Sequence, residues 1–181
     1  FLDNGYEGIA MDHFALKDDE LARAFHSGTL YRNFMGYTVK PADEYIGLGV
    51  SAIGFLEKTF FQNYKTIPEY YRFLKQNELP IERGKTLSRD DEIRQWVIRA
   101  FMCRFGLDKK EFFEVFGVGF DEYFAEEQAH IRRCAADGLL TVADNIITVT
   151  ETGKIFVRNV CMGFDWYLRQ KNAHQRFSKT V

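Results

Sequence analysis

Hydrophobic residues in the second half of the chain recur at the spacing of a helix face. The residues of this stripe lie four positions apart: Ile93, Val97, Phe101 and Phe105. Such a period places all of them on one side of a helix, where they can pack against a core. Ser88, followed by Asp91 three residues later, is a typical N-cap signature. The pattern therefore predicts a helix that begins after Ser88.

Further periodic segments follow this helix. They predict helices over 108–116 and 120–137, a hairpin of Leu139–Val142 with Ile146–Thr150, and a last helix that Thr150 caps and that carries Ile155, Val160, Phe164 and Leu168. Three helices, a hairpin and one more helix are the layout of a winged-helix domain. A fold-level analogy of this kind carries no function by itself.

The first half of the chain mixes strand and helix patterns. Its predicted elements are a strand over Tyr6–Ala10, a helix over Asp18–Phe25, an extended aromatic segment over Leu30–Val39, an apolar extended segment over Tyr45–Phe55 and a helix that opens at Thr66. The expected fold class is therefore α/β followed by a mainly α part. We divide the chain near Gly84 and Lys85, into residues 1–84 and 85–181.

Composition narrows the class of protein. Hydrophobic residues make up 46% of the chain and aromatic residues 16%, which favours a packed, aromatic core. The net charge of −2 weighs against nucleic-acid binding, which usually needs a basic excess. No apolar run approaches the roughly 20 residues that span a bilayer. Cys103, Cys134 and Cys161 are far apart, which predicts buried thiols and fits a reducing cytoplasm.

The segment from Gly47 to Gly54 has the most site-like pattern. Its small residues would let a ligand approach the backbone, and free N–H groups there could bind it. A strand with close backbone packing, or a bulge, explains the same glycines. Both interpretations stay open at this point.

Two other patterns are ambiguous in the same way. From Arg32 to Thr38, polar and aromatic residues alternate, which suits a flat or anionic ligand but equally suits a half-buried strand. The pair Asp12-His13 could supply a proton donor or a metal ligand, although a structural histidine is the more frequent role.

Several runs of the chain resemble one family, in register from end to end. They are MDHFALKDDELA, LYRNFMGYT, YIGLGVSAIG, LSRDD, DEYFAEE, DGLL, RNVCMGFDWYLRQ and RFSKTV. Together these runs resemble the oxygen-independent coproporphyrinogen III oxidases. The related heme-chaperone branch has a different glycine segment and a shorter helical end, so RNVCMGFDWYLRQ favours the coproporphyrinogen branch.

The resemblance implies a radical-SAM enzyme of anaerobic heme synthesis. Such an enzyme oxidatively decarboxylates two propionates of coproporphyrinogen III to give protoporphyrinogen IX, with S-adenosylmethionine and a [4Fe–4S] cluster as cofactors. The family's cluster motif, C-x-x-x-C-x-x-C, is absent from this sequence. We therefore expect the cluster ligands in an N-terminal radical-SAM portion of the same protein. This chain alone should be inactive, without catalytic or metal-ligating residues of its own.

The resemblance also implies an architecture and a set of contacts. Residues 1–84 would be the last strands and helices of a radical-SAM partial barrel, and a helical, winged-helix-like domain would follow. By motif position, Ile53 matches an S-adenosylmethionine contact, and Phe34 matches a residue near a second S-adenosylmethionine. Met35 stands where the family commonly has Gln, and Val39 where it commonly has Thr. Methionine cannot donate the hydrogen bonds of an amide, so substrate identity stays open.

Two alternatives remain beside this reading. The departure at Met35 is compatible with a radical-SAM paralogue that acts on heme or another tetrapyrrole. The hairpin layout and a basic tail of Arg169, Lys171, Arg176 and Lys179 are compatible with a winged-helix nucleic-acid-binding module. Five acids and two arginines between 120 and 137 would repel a phosphate backbone, however. The expected partners are thus the N-terminal portion and coproporphyrinogen III, with no nucleic acid and no membrane span.

Overall fold

The structure is a computed structural model that describes residues 1–33, 36–42 and 44–170. The elements of the first half are β1 (Tyr6–Ala10), β2 (His13–Leu16), α1 (Glu20–Ser27), β3 (Tyr31–Arg32), β4 (Tyr37–Thr38), β5 (Ile53–Leu56), β6 (Thr59–Asn63), α2 (Ile67–Lys75) and β7 (Ile81–Thr86). The predicted first strand is confirmed. The predicted first helix is also confirmed, and it begins after Asp19, whose carboxylate accepts a hydrogen bond from the N–H of Leu21.

Helices dominate the second half. Its elements are α3 (Arg89–Arg99), β8 (Gly106–Asp108), α4 (Lys109–Phe116), α5 (Phe120–Tyr123), α6 (Gln128–Ala136), β9 (Leu140–Ala143), β10 (Ile146–Val149), α7 (Glu151–Ile155), α8 (Val157–Met162) and α9 (Trp166–Gln170). Helix α3 starts as predicted, because the Ser88 hydroxyl accepts from the N–H of Asp91 and the Asp91 carboxylate accepts from the N–H of Ser88. Among the helices of the described residues, none combines the length and the apolar character needed to cross a bilayer.

The strands form small antiparallel sheets. The sheets are β1-β2, β3-β4, β5-β6-β7 and β8-β10-β9, and within the described residues they close no barrel. The predicted hairpin is confirmed as β9 and β10. Strand β8, which the sequence did not predict, adds a third strand to it. Helices mixed with small sheets, and a helical second half that contains a three-stranded wing, agree with the expected fold class.

Phenylalanine rings form the centre of the second half, as the composition predicts. Five of them are at most 2% exposed: Phe101, Phe112, Phe120, Phe124 and Phe164. The rings of Phe112 and Phe120 meet edge to face with centroids 5.4 Å apart, and those of Phe124 and Phe164 do so at 5.3 Å. Such aromatic pairs each add about 1 kcal/mol beyond their buried area. The predicted stripe is buried too, although its helix widens into a π-helical turn at Ala100–Arg104.

The single extended segment predicted over Leu30–Val39 is wrong. The chain forms a hairpin instead, in which Tyr31 pairs with Thr38 and Arg32 pairs with Tyr37. Gly36 lies in the connection with a φ of 141°, a conformation that residues with a side chain rarely adopt. Arg32 and Tyr37 therefore lie opposite each other on two strands, and they do not alternate along one strand.

The apolar segment predicted over Tyr45–Phe55 is extended only at its end. Strand β5 begins at Ile53, and Tyr45 is joined to Phe55 by an isolated bridge. Gly49 and Ser51 have φ values of 103° and 57°, which turn the chain between these two points. The glycine segment thus precedes a strand rather than following one.

The helix predicted over 120–137 is broken into α5 and α6. Between them the chain turns so that Glu127, only 2% exposed, faces Arg94 at 2.7 Å. A buried carboxylate needs such a partner, and a continuous helix would not provide the turn that brings it there.

The helix predicted after Thr150 is divided into α7, α8 and α9. Thr150 does cap α7, since its hydroxyl accepts from the N–H of Gly153. Asp165 then starts α9 by accepting hydrogen bonds from the backbone of the next turn. Val160 and Phe164 are buried, whereas Ile155 is 58% exposed because it is the last residue of α7 and the helix breaks directly after it.

Contacts connect the two halves of the chain. The ring of Phe25 meets that of Phe105 with centroids 5.6 Å apart, and the hydroxyl of Tyr37 donates to the carbonyl of Met102 at 2.8 Å. Strand β7 continues through the predicted boundary to Thr86. The division into residues 1–84 and 85–181 stays a prediction.

Candidate functional site

The glycine segment is held in place by hydrogen bonds within the protein. The side-chain amide of Asn63, which is 5% exposed, donates to the carbonyl oxygens of Gly47 at 3.2 Å and of Gly49 at 2.9 Å. The N–H of Ser51 donates to the carbonyl of Tyr64, and the N–H of Gly49 donates to a tyrosine hydroxyl. These two N–H groups are therefore not free to bind a ligand, contrary to the expectation from the sequence.

Close backbone packing explains two of the glycines. A Cβ on Gly47 would lie 2.5 Å from the carbonyl oxygen of Ile53, and a Cβ on Gly54 would overlap the ring of Phe61. Only a residue without a side chain fits at either point. The segment thus serves to set the position of Ile53 at the start of β5.

Ile53 lies on the wall of a cavity of about 480 Å³. The side chain is half-buried, and residues that share the wall include Tyr31, Asn33, Tyr45, Leu48 and Ala52. Aromatic and aliphatic surface with a few polar tips is the usual composition of a small-molecule site. The structure therefore places Ile53 where a ligand can reach it.

A second cavity of about 430 Å³ adjoins the first. The two share Tyr31, Asn33 and Tyr45, and the second extends towards α3 and towards the turn between β5 and β6. Its wall carries the rings of Phe55 and Phe60. We call the two together the paired cavity.

Positive charge gathers in the second cavity although the chain as a whole is acidic. Three cations line it, Arg32, Lys58 and Arg99, against one acid, Glu92. Lys58 and Glu92 form an ion pair of 2.6 Å, so the two arginines supply the charge in excess.

Both arginines lie beside tyrosine rings. The guanidinium of Arg99 stands 4.9 Å from the ring centre of Tyr31 and donates to its hydroxyl at 3.3 Å. The guanidinium of Arg32 stands 5.5 Å from the ring centre of Tyr37. Stacking of this kind fixes a guanidinium while leaving its donors available.

Burial changes the titration of groups around this wall. Burial, together with the nearby Tyr31, raises the pKa of Tyr45 above its usual value. Burial raises the pKa of Cys103 to about 11, although the charges of Arg99 and Arg32 oppose the rise. These groups stay protonated and neutral at neutral pH, and they leave the arginine charges uncompensated.

The three histidines among the described residues have structural partners. His13 has its Nδ1 3.0 Å from the carboxylate of Asp12 and its ring against that of Tyr37. His26 bonds to a carboxylate and His130 to a backbone carbonyl. In the part of the chain that the structure describes, no group of three or more His, Cys, Asp or Glu is arranged to hold a metal ion. The contacts of His13 favour a structural role.

Of the three site residues expected from the resemblance, only Ile53 can be located. Phe34 and Met35 lie outside the described residues, between Asn33 and Gly36. No sequence pattern pointed to Lys58, Glu92 or Arg99, because they come from a turn and a helix that approach the hairpin only in the fold.

Comparisons with known proteins agree with the runs quoted from the sequence. Residues 87–156 match the family model of the HemN C-terminal domain. Curated relatives are the oxygen-independent coproporphyrinogen III oxidases of Salmonella typhimurium, 44% identical over 98% of this chain, and of Synechocystis, 42% identical over 99%. The structure of coproporphyrinogen III oxidase (HemN) from Escherichia coli, described as a radical SAM enzyme, superposes with a TM-score of 0.87 at 41% identity and covers 92% of this chain.

The superposition defines the class first: the fold is that of part of a radical SAM protein. Over 98% of its length the chain matches part of the oxygen-independent coproporphyrinogen III oxidases, as its resemblance predicted, and it includes a match to the HemN C-terminal domain. It spans about two fifths of the length of the relatives it matches, 39% for the Salmonella protein and 38% for the Escherichia coli structure.

Proposed function

We propose that this chain supplies the part of an oxygen-independent coproporphyrinogen III oxidase that carries the HemN C-terminal domain. The whole enzyme would oxidatively decarboxylate two propionates of coproporphyrinogen III to give protoporphyrinogen IX. The similarity to enzymes of that name over 98% of the chain supports the reaction. The observation that carries the proposal is the paired cavity, which places Ile53 beside a wall of aromatic rings.

The donor chemistry of this chain does not fit an iron–sulfur cluster. Cluster ligands are thiolates, and burial raises the pKa of all three thiols, Cys103, Cys134 and Cys161. We therefore assign the cluster to polypeptide outside this chain. A C-x-x-x-C-x-x-C segment encoded upstream of Phe1 would agree with this assignment, and a gene without one would remove the enzyme proposal.

The residues of the paired cavity do fit S-adenosylmethionine. Ile53 offers an apolar surface, and Tyr31 and Tyr45 offer ring faces. Phe34 and Met35 are proposed as further contacts from the family resemblance alone. When bound beside a reduced cluster, S-adenosylmethionine supplies the radical that starts the oxidation. The part of this chain's residues is to position the cofactor and the tetrapyrrole and to exclude water from them.

Replacing Ile53 with Asp in the full-length gene product tests this contact. A carboxylate beside an apolar ligand face is costly, so S-adenosylmethionine should bind at least tenfold more weakly in equilibrium dialysis. Ile53→Val, which keeps the apolar surface, serves as the control and should bind normally. Unchanged binding by Ile53→Asp, with lower stability towards urea, would mean that Ile53 only packs the core.

Product analysis distinguishes the proposed enzyme from a paralogue. We expect the full-length protein to form vinyl-bearing products from coproporphyrinogen III and S-adenosylmethionine under anaerobic conditions. S-adenosylmethionine binding without such products would instead support a paralogue acting on heme or another tetrapyrrole, which the departure at Met35 allows. We place the enzyme in the cytoplasm, a location that three free, buried thiols support.

A further inference from the structure

Arg32 carries a buried donor without an acceptor. Its Nε is shielded from solvent and, among the described residues, has no hydrogen-bond partner. A buried donor left unpaired destabilises the folded protein, and more so where the group is charged. A position of this kind in a native protein calls for an acceptor that comes from elsewhere.

Another shielded arginine shows what a satisfied guanidinium looks like in this protein. The side chain of Arg94 is 11% exposed and forms ion pairs of 2.7 Å with both Asp90 and Glu127. In the part of the chain that the structure describes, the ion pairs within 4.0 Å include neither Arg32 nor Arg99. The two arginines of the paired cavity thus differ from the arginine that stabilises the core.

Arg32 and Arg99 reach the same wall from separate elements. Arg32 lies on β3, and Arg99 is the last residue of α3. The guanidinium of Arg99 lies over the ring of Tyr31, the residue that precedes Arg32. Both arginines line the cavity whose wall also carries Cys103. Two guanidinium groups beside aromatic rings form a surface that binds an anion attached to a flat ligand.

We propose that Arg32 and Arg99 form a carboxylate-binding subsite of the paired cavity, which holds a carboxylate carried by an aromatic or heterocyclic ligand. The inference rests on the proposed function and adds to it. Two ligands of that enzyme bear such a group: a tetrapyrrole through its propionates and S-adenosylmethionine through its methionyl end. Arginine suits this task because its planar donors match the two oxygens of a carboxylate.

Binding measurements on the full-length protein test the subsite. The probes are coproporphyrin III, followed by fluorescence quenching, its tetramethyl ester, which lacks the carboxylates, and S-adenosylmethionine in equilibrium dialysis. The variants are Arg32→Gln and Arg99→Gln, with Arg32→Lys as the version that keeps the charge. Arg104→Gln is the matched control, because Arg104 lies near Arg99 in the chain but pairs with Glu111 outside the cavity.

We expect each Gln variant to weaken binding of one acid ligand by about 10-fold to 100-fold, the range for losing a hydrogen bond to a charged group. Arg32→Lys should recover part of that loss, and Arg104→Gln should bind normally. If only coproporphyrin III binds more weakly, the group held by the arginines is a propionate. If only S-adenosylmethionine binds more weakly, it is the methionyl carboxylate. The tetramethyl ester should bind the native protein more weakly than the acid if the propionate is held.

The inference is overturned if Arg32→Gln and Arg99→Gln bind both acid ligands as the native protein does. It is equally overturned if the Arg32→Gln protein is only less stable while the Arg99→Gln protein binds both acid ligands normally. Arg99 is exposed, so its replacement should not disturb folding. That second result would mean that Arg32 is satisfied by another part of the polypeptide. Neither result affects the proposed function, which is tested by product formation in the native enzyme.

Discussion

Gly47 packs against the backbone of Ile53 so closely that a Cβ on Gly47 would lie 2.5 Å from the carbonyl oxygen of Ile53. The contact couples the glycine segment to the first residue of β5, which forms part of the wall of the paired cavity. A segment whose sequence resembles a ligand-binding loop therefore holds the residue that we propose as the ligand contact.

Gly47→Ala should displace Ile53 and weaken S-adenosylmethionine binding by the full-length protein. A backbone atom at 2.5 Å cannot yield as a flexible side chain can, so the start of β5 must shift. Overpacking of this kind costs about 1–3 kcal/mol, which should lower the urea midpoint as well. Equilibrium dialysis and urea unfolding measure the two effects.

Gly8→Ala is the matched control for this substitution. A Cβ on Gly8 would meet only the ring of Phe14, at an ordinary contact distance of 3.7 Å. We expect its cofactor binding and urea midpoint to equal those of the native protein. Normal binding by Gly47→Ala would show that Ile53 tolerates the shift and would weaken the case for Ile53 as a contact.

Local sequence patterns predicted helices and strands well wherever a pattern is compatible with only one structure. Ser88 and Asp91 form the capping box that their spacing predicts, and the stripe from Ile93 to Phe105 is buried. The glycine segment is compatible with two structures, because the missing side chain of glycine allows both close backbone packing and the approach of a ligand. The occupied N–H groups of Gly49 and Ser51, and the packing of Gly47 against Ile53, distinguish the two interpretations in the structure.

The paired cavity was less predictable because it depends on contacts between distant parts of the chain. Arg32, Lys58 and Arg99 lie in a hairpin, a turn and a helix that have no common sequence pattern. The break before α6 also depends on a contact between distant residues. It lets Glu127 reach Arg94, and helix periodicity carries no information about that pair. Family resemblance supplied Ile53 but not the cations beside it.

Glu127→Gln should destabilise the protein by about 3 kcal/mol, the usual cost of breaking a buried ion pair. Glu127 is 2% exposed and pairs with both Arg94 and Arg169, so it ties α3 and the last helix to the start of α6. Glutamine keeps the shape but removes the buried charge, so Arg94 keeps only the partly exposed Asp90 as an ion-pair partner. Urea unfolding monitored by circular dichroism measures the change.

The exposed pair of Arg104 and Glu111 provides the comparison for this substitution. Both side chains are 40% exposed, and such pairs contribute at most about 1 kcal/mol. Glu111→Gln should therefore shift the urea midpoint much less than Glu127→Gln does. Equal shifts would show that burial of Glu127 adds nothing to the strength of its ion pairs.

Asp91 should make stability depend on pH at the acid end. Burial pushes the pKa of Asp91 up, but hydrogen bonds from the N–H and hydroxyl of Ser88, with help from Tyr167 and Lys85, outweigh it and hold the pKa below its usual value. A lowered pKa in the folded state means that the carboxylate stabilises the protein above the unfolded pKa of about 4. That contribution is lost as the pH falls through the folded pKa.

Asp91→Asn removes this titration while keeping the shape. We expect the native protein to be more stable than the variant at pH 7, by about 1 kcal/mol for a helix cap, and the difference to shrink progressively as the pH falls below about 4. Urea midpoints measured between pH 3 and 8 test the prediction. A difference that stays constant down to pH 3 would contradict a role for the charge of Asp91.

The buried thiols should resist alkylation in the folded protein. Burial raises the pKa of Cys103 to about 11 and also raises those of Cys134 and Cys161, so little thiolate is present at pH 8. Thiolate is the reactive form, and the same burial keeps reagents away from it. Peptide-level mass spectrometry after a short iodoacetamide treatment should find all three unmodified in native protein and modified after guanidinium unfolding. Lys110→Cys, at an exposed position, should be labelled in both states, and rapid native labelling of Cys103 would show that the wall of the paired cavity opens to solvent.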